Sequence, residues 1–250
     1  MTKPAETDVD SATDYRLSHL QRGGSYDATL AAGPFDAYMA QREQVLLREI
    51  VPALFPADKP RYLDFACGTG RITGAVAPMC AEANGVDISP SMLGQARQKF
   101  PTVNFVHADL TQGSVDLGTF DLITSFRFFG NAQQDLRVAV LRTLHRLLRP
   151  AGRLVINSHR NPHSLAQLFN TLTGGPESGM DLTYFKLKSL LRECGFEIES
   201  IRPIAAWMYR FKLQTTTPDP DKAARLEQTF GSSLFATIAP DAIVVVRKIA

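Results

Sequence analysis

Cysteine is scarce in this chain of 250 residues: only Cys67, Cys80 and Cys194 are present. Three is an odd number, and none stands in a Cys-x-x-Cys pair. This argues against a disulfide framework or a zinc site and places the chain in a reducing compartment, the cytoplasm. A surplus of either charge is also missing. The 27 basic and 25 acidic side chains leave a net charge of +2, and nucleic-acid binders usually carry a strong basic footprint. That balance counts against nucleic acid as the partner. No apolar run approaches the roughly 18 residues of a membrane span. The polar, acid-rich opening Met1–Asp14 fits neither a signal peptide nor a transit peptide. What is plentiful is apolar residues, at 44%, ample for one sizeable core.

Residues 1–34 read as a loosely ordered N-terminal segment, since Thr7–Thr13 is polar and Gly23, Gly24, Gly33 and Pro34 interrupt any pattern. Residues 35–250 read as one domain. It opens with a helix over Phe35–Leu54, where Met39, Leu46, Leu47, Ile50, Val51 and Leu54 recur at helical spacing. Strand-like and helix-like segments then alternate. Strands are expected at Arg61–Ala66, Ala83–Asp87, Val103–His107, Phe120–Ser125 and Arg153–Asn157. Helices are expected at Arg71–Met79, Ser89–Phe100 and Gln133–Leu148. Further on, helices at Pro162–Thr173 and Asp181–Cys194 lead to strands at Phe196–Ile204 and Ala242–Lys248. An insert at about 205–240 separates those strands and holds a helix near Lys222–Phe230. Short apolar strands between amphipathic helices predict a mostly parallel sheet covered on both faces. Ligands of such sheets bind beyond the carboxyl ends of the strands.

Three groups of residues stand at those ends. The first is Leu63-Asp64-Phe65-Ala66-Cys67-Gly68-Thr69-Gly70, a turn whose glycines let a ligand approach the backbone ahead of a helix with free N–H groups. A dinucleotide fingerprint needs a third glycine, and Gly-Thr-Gly-Arg-Ile-Thr lacks it, which disfavours a nicotinamide-dependent oxidoreductase. The second is Asp87, a carboxylate able to accept hydrogen bonds from both hydroxyls of a ribose. The third is Asp109-Leu110, a polar and an apolar side chain suited to an adenine ring.

In this order the three groups resemble the class I S-adenosylmethionine-dependent methyltransferases, and the resemblance covers roughly Tyr62–Phe196. The segment Leu141–Leu154 (LRTLHRLLRPAGRL) is similar to the family's helix before its fifth strand, with Ala151-Gly152 where a glycine pair is usual. The resemblance implies a Rossmann-like α/β fold: a seven-stranded, mostly parallel sheet with helices on both faces and the last strand antiparallel. It implies S-adenosyl-L-methionine as cofactor. Asp64, Ala66, Gly68 and Gly70 would form the loop beneath its methionine part. Asp87 and Ile88 would hold the ribose, and Asp109 and Leu110 the adenine. Ser125 and Phe126 would lie near the sulfonium, and Tyr26 and Arg42 would close over the carboxylate.

The family reaction is an in-line displacement whose main requirement is orientation. A base is needed only where the acceptor must lose a proton. The loop Asn157-Ser158-His159-Arg160-Asn161-Pro162-His163 supplies His159 as the candidate base, an outward, solvated histidine being the alternative. Arg127 and Arg160 could bind an acidic or sugar acceptor, and Asn131 could orient it. Trp207, Met208 and Tyr209 either roof the pocket or pack in the core. His145 and His107 read as structural, and Arg137, Arg142, Arg146 and Arg149 as a solvated helix face. Ser125-Phe126-Arg127-Phe128 stands where methyltransferases of base amines carry Asn-Pro-Pro-Tyr. The acceptor expected is therefore a small molecule or glycan. A cofactor-binding regulator without catalysis and an RNA methyltransferase are the alternatives.

Overall fold

The computed structural model describes residues 26–113, 115–174, 179, 181–207 and 219–249. Helices α1 (Tyr26–Ala32) and α2 (Pro34–Leu54) precede β1 (Arg61–Phe65). Next come α3 (Arg71–Val76), β2 (Glu82–Asp87), α4 (Pro90–Lys99), β3 (Asn104–His107) and β4 (Phe120–Ser125). Then follow α5 (Gln134–Leu147), β5 (Leu148–Ser158), α6 (Leu165–Leu172) and α7 (Tyr184–Glu193). The last elements are β6 (Phe196–Ile204), α8 (Pro220–Phe230) and β7 (Asp241–Lys248).

The strands form one seven-stranded sheet in the order β3-β2-β1-β4-β5-β7-β6. Pairing is parallel from β3 through β5, and β7 runs antiparallel to both of its neighbours. This is the expected Rossmann-like sheet. The order reverses between β1 and β4, so the carboxyl ends diverge there and leave a crevice.

Period-two alternation sends the residues of the central strands to two cores on opposite faces of the sheet. Leu63, Leu154, Ile156, Val244 and Val246 face α5 and α7, burying Leu136, Val140, Leu141, Leu144, Leu187 and Leu191 with them. Tyr62, Val155, Ile243 and Val245 face the opposite way, onto Met39, Leu47, Ile50 and Val51 of α2 and Ile72 and Val76 of α3. Each such fully buried aliphatic side chain contributes about 2 kcal/mol of burial free energy.

Two expectations need correction. Tyr26–Ala32 is helical, within a segment read as loosely ordered: α1 packs against α2, and Asp27 reaches Thr69 Oγ1 at 2.7 Å. Arg137 is not on a solvated face. It is 2% exposed, donates to the Phe129 carbonyl at 2.7 Å and pairs with Asp181 at 2.7 Å. Of the two alternatives for Trp207 the structure shows core packing: it lies edge-on against Tyr38 and donates to Glu227 Oε1, away from the crevice. Met208 and Tyr209 lie outside the described residues. As expected, His145 is structural, stacked edge-on against Phe196. Ala151 stands where the family usually has glycine and holds φ 62°, a left-handed angle that explains the usual preference.

Candidate active site

The carboxyl ends of the parallel strands open on a cleft of about 260 Å³. Its floor is the turn after β1. Ala66, Gly68 and Gly70 hold φ of 56°, 54° and 81°, so the chain bends sharply before α3 begins. A Cβ at Gly68 would meet no atom within 4 Å, leaving that stretch of backbone bare to the cleft. Gly70 differs. It caps α3 and turns from the cleft wall, and a Cβ there would come within 3.0 Å of the Phe100 ring.

One wall comes from β2 and β3. Asp87 is pinned by two backbone donors, Gly68 N to Oδ2 and Ser89 N to Oδ1, each at 2.8 Å. Asp109 accepts from Thr111 N at 2.9 Å and Thr111 Oγ1 at 2.6 Å. Ile88 and the buried Leu110 supply the apolar surface between these acids. His107 stands outside, its Nε2 3.0 Å from the Ile88 carbonyl.

Asp64 lies beneath the floor, 1% exposed. Its Oδ1 accepts from Thr124 Oγ1 at 2.7 Å and its Oδ2 from Thr73 Oγ1 at 2.6 Å, tying β1 to β4 and α3. Burial pushes its carboxyl up to about 6, against the pull of those two hydroxyl donors. Burial likewise raises the Cys67 thiol well above its ordinary value, so this residue is a neutral packing group.

The opposite wall carries Phe126, Arg127, His159 and Arg160. His159 is not solvated; it is 5% exposed. Its Nδ1 lies 2.8 Å from Oδ2 of Asp241, itself 1% exposed, and Asp241 Oδ1 accepts from Arg160 N at 2.8 Å. With Nδ1 engaged by Asp241, Nε2 is the ring nitrogen left for a ligand. Asn131 lines the cleft and donates Nδ2 to the Arg127 carbonyl at 2.6 Å.

Besides Gly70, two expected residues are elsewhere. Ser125 is fully buried within β4 and does not reach the cleft wall. Arg42 lines a separate cleft with Glu49, Arg202 and Glu227, because its place on α2 faces away from the strand ends. Tyr26 begins α1, and its side chain lies outside the described residues.

The residues by which α2 meets the cleft-lining arginines are acids. Glu43 is fully buried, pairs with Arg71 Nη1 at 2.8 Å and accepts from Asn157 Nδ2 at 2.8 Å. Asn157 Oδ1 in turn accepts from Arg127 N at 2.6 Å. Asp36 pairs with Arg127 Nη1 at 3.1 Å. Asp36 and Glu43 are seven residues apart, two helical turns, and so share a face. That spacing was the available signal; the strand ends they meet are distant in sequence.

A protein-family model described as a methyltransferase domain matches residues 63–152. An uncharacterized methyltransferase of Synechocystis is 31% identical over 159 residues, covering 58% of this chain and 70% of that protein. The chain belongs to the S-adenosylmethionine-dependent methyltransferases of class I. A demethylmenaquinone methyltransferase of Clavibacter sepedonicus is 34% identical over 113 residues, 44% of this methyltransferase and 45% of the relative. The chain spans about half the length of the curated relatives it first matches. In fold it is similar to magnesium protoporphyrin IX methyltransferase from Synechocystis with bound SAH. That match has a TM-score of 0.61 and 16% identity, covering 93% of this chain and 97% of the other.

The residues of this methyltransferase fit the family's cofactor. The bare backbone at Gly68 leaves room that any side chain would fill. Asp87 and Asp109 are acceptors for hydroxyl and amino groups, with Leu110 and Ile88 between them for a flat ring. Arg71 adds a cation at the first turn of α3, where a carboxylate is also favoured by the helix N-terminus. Among the described residues, no helix is long and apolar enough to cross a membrane.

Proposed function

We propose that this chain transfers a methyl group from S-adenosylmethionine to a small-molecule acceptor in the cleft after β4 and β5. The observation that carries the reading is the pinned Asp87 carboxylate beside the bare Gly68 backbone. An acceptor carboxylate already ordered by two N–H donors loses little freedom when it receives ribose hydroxyls. When bound, the cofactor supplies an electrophilic methyl group on a sulfonium. Asp87 and Ile88 hold the ribose, Asp109 and Leu110 the adenine, and Arg71 the carboxylate, while Phe126 and the Ala66–Gly68 turn shape the space for the sulfonium.

His159 is the base of this reading. Asp241 fixes its tautomer by accepting from Nδ1–H, which leaves Nε2 as the proton acceptor. The same carboxylate stabilises the imidazolium formed when the acceptor's proton arrives. Burial of both partners keeps bulk water from competing for that proton.

Thermal unfolding with S-adenosylmethionine, S-adenosylhomocysteine and NAD, each added separately, tests the cofactor. Stabilisation by the two sulfur ligands alone is expected through binding linkage. The effect should be largely lost in Asp87→Ala, by about 100-fold in affinity, because charge-assisted hydrogen bonds disappear. A shift with NAD alone would overturn the assignment, and undiminished affinity in the variant would overturn the role of Asp87.

A further inference from the structure

Arg127 follows β4 and Arg160 follows β5, two strands paired side by side, and both line the cleft. Both hold left-handed backbone, at φ 58° and 54°. L side chains adopt that region only at a cost, and such strain persists where the surroundings impose it. Here they do. Arg127 N donates to Asn157 Oδ1 at 2.6 Å, and Arg160 N donates to Asp241 Oδ1 at 2.8 Å.

The two guanidinium groups converge on one carboxylate. Asp36 places Oδ1 3.1 Å from Arg127 Nη1 and Oδ2 3.7 Å from Arg160 Nη2. Arg127 is the firm side of this pair, its side chain 11% exposed, and Arg160 the loose one at 53%. Asp36 makes no side-chain cap for α2, whose N-cap is Gly33. A flat, two-oxygen anion therefore already bridges the arginines, with one contact near hydrogen-bond length and one longer.

We propose that Arg127 and Arg160 anchor a carboxylate of the acceptor, and that Asp36 occupies this site until the acceptor displaces it. This rests on the methyl-transfer reading and narrows it to acceptors that carry a carboxylic acid away from the methylated atom. Guanidinium forks match planar carboxylates in two-point contact. Arg160 adjoins His159 in sequence, so anchor and base lie within the span of one small molecule.

The test is calorimetric titration of the full chain with benzoate, benzamide and inorganic phosphate, in the presence of S-adenosylhomocysteine and again without it. Asp36→Ala should bind benzoate more tightly than wild type, by about tenfold for an internal competitor of roughly 90% occupancy, since that competitor is removed. Adding Arg160→Gln, a change at a half-exposed side chain, should reverse that gain, and benzamide should bind none of the variants measurably. Three results would overturn the anchor: equal benzoate affinity in wild type and Asp36→Ala, benzamide binding as well as benzoate, or phosphate binding more tightly than benzoate. Loss of S-adenosylhomocysteine binding counts against the methyl-transfer reading instead, and the titration without that ligand still decides the anchor.

Discussion

Replacing Asp64 by Asn should make the protein less sensitive to pH between about 4 and 7. The wild-type carboxyl is fully buried and raised to about 6 from an ordinary 3.8. In the folded state it therefore holds its proton more tightly than in the unfolded chain. The stability it contributes is complete below pH 3.8 and is lost as pH rises through about 6. With a tenfold change in proton affinity equal to about 1.4 kcal/mol, the whole effect is about 3 kcal/mol. Between pH 7.5 and pH 5 roughly 1.4 kcal/mol of it develops, because the folded carboxyl is mostly protonated at pH 5 and the unfolded one is not. Asn keeps an acceptor for one threonine hydroxyl and offers its amide to the other, so Thr73 and Thr124 stay bonded. Urea unfolding of both proteins at pH 5 and pH 7.5, without ligand, measures the difference. Wild type should gain on the variant by about 1.4 kcal/mol on going to the lower pH. A gap that stays constant would refute the claim that burial outweighs the two hydroxyl donors.

His159→Ala should lower turnover of an accepted substrate by about 100-fold, and Asp241→Asn should lower it through the wrong tautomer, both with unchanged cofactor affinity. Equal turnover in steady-state assays would remove the base. Gly70→Ala should cost about 1–3 kcal/mol in urea unfolding, because φ 81° strains an alanine and its Cβ meets Phe100. An unchanged midpoint would contradict that strain. Glu227→Ala should cost about 3 kcal/mol, since it leaves the donors of Tyr38, Ala205 and Trp207 without their shared acceptor. A loss below about 1 kcal/mol would show that water takes over the role.

The sequence by itself determined the order of strands and helices, the glycine turn and the acids at successive strand ends. These are local features: a turn needs its glycines within a few residues, and a strand ends where its alternation ends. Asp64, Gly68, Asp87, Asp109 and Leu110 could be placed at the cleft or beneath it for that reason, while Ala66, Ile88 and Phe126 followed from the family resemblance. Only tertiary structure decided the phase of α2. A helix rotates about 100° per residue, so Arg42 and Glu43 face different ways, and packing on the sheet turned Glu43 inward and Arg42 out. The same holds for His159, whose environment depends on Asp241, 82 residues away. β7 inserts antiparallel between β5 and β6, and that pairing alone carries Asp241 to the imidazole. Side-chain chemistry was legible in the sequence, but the partners that give it direction were assembled by the fold.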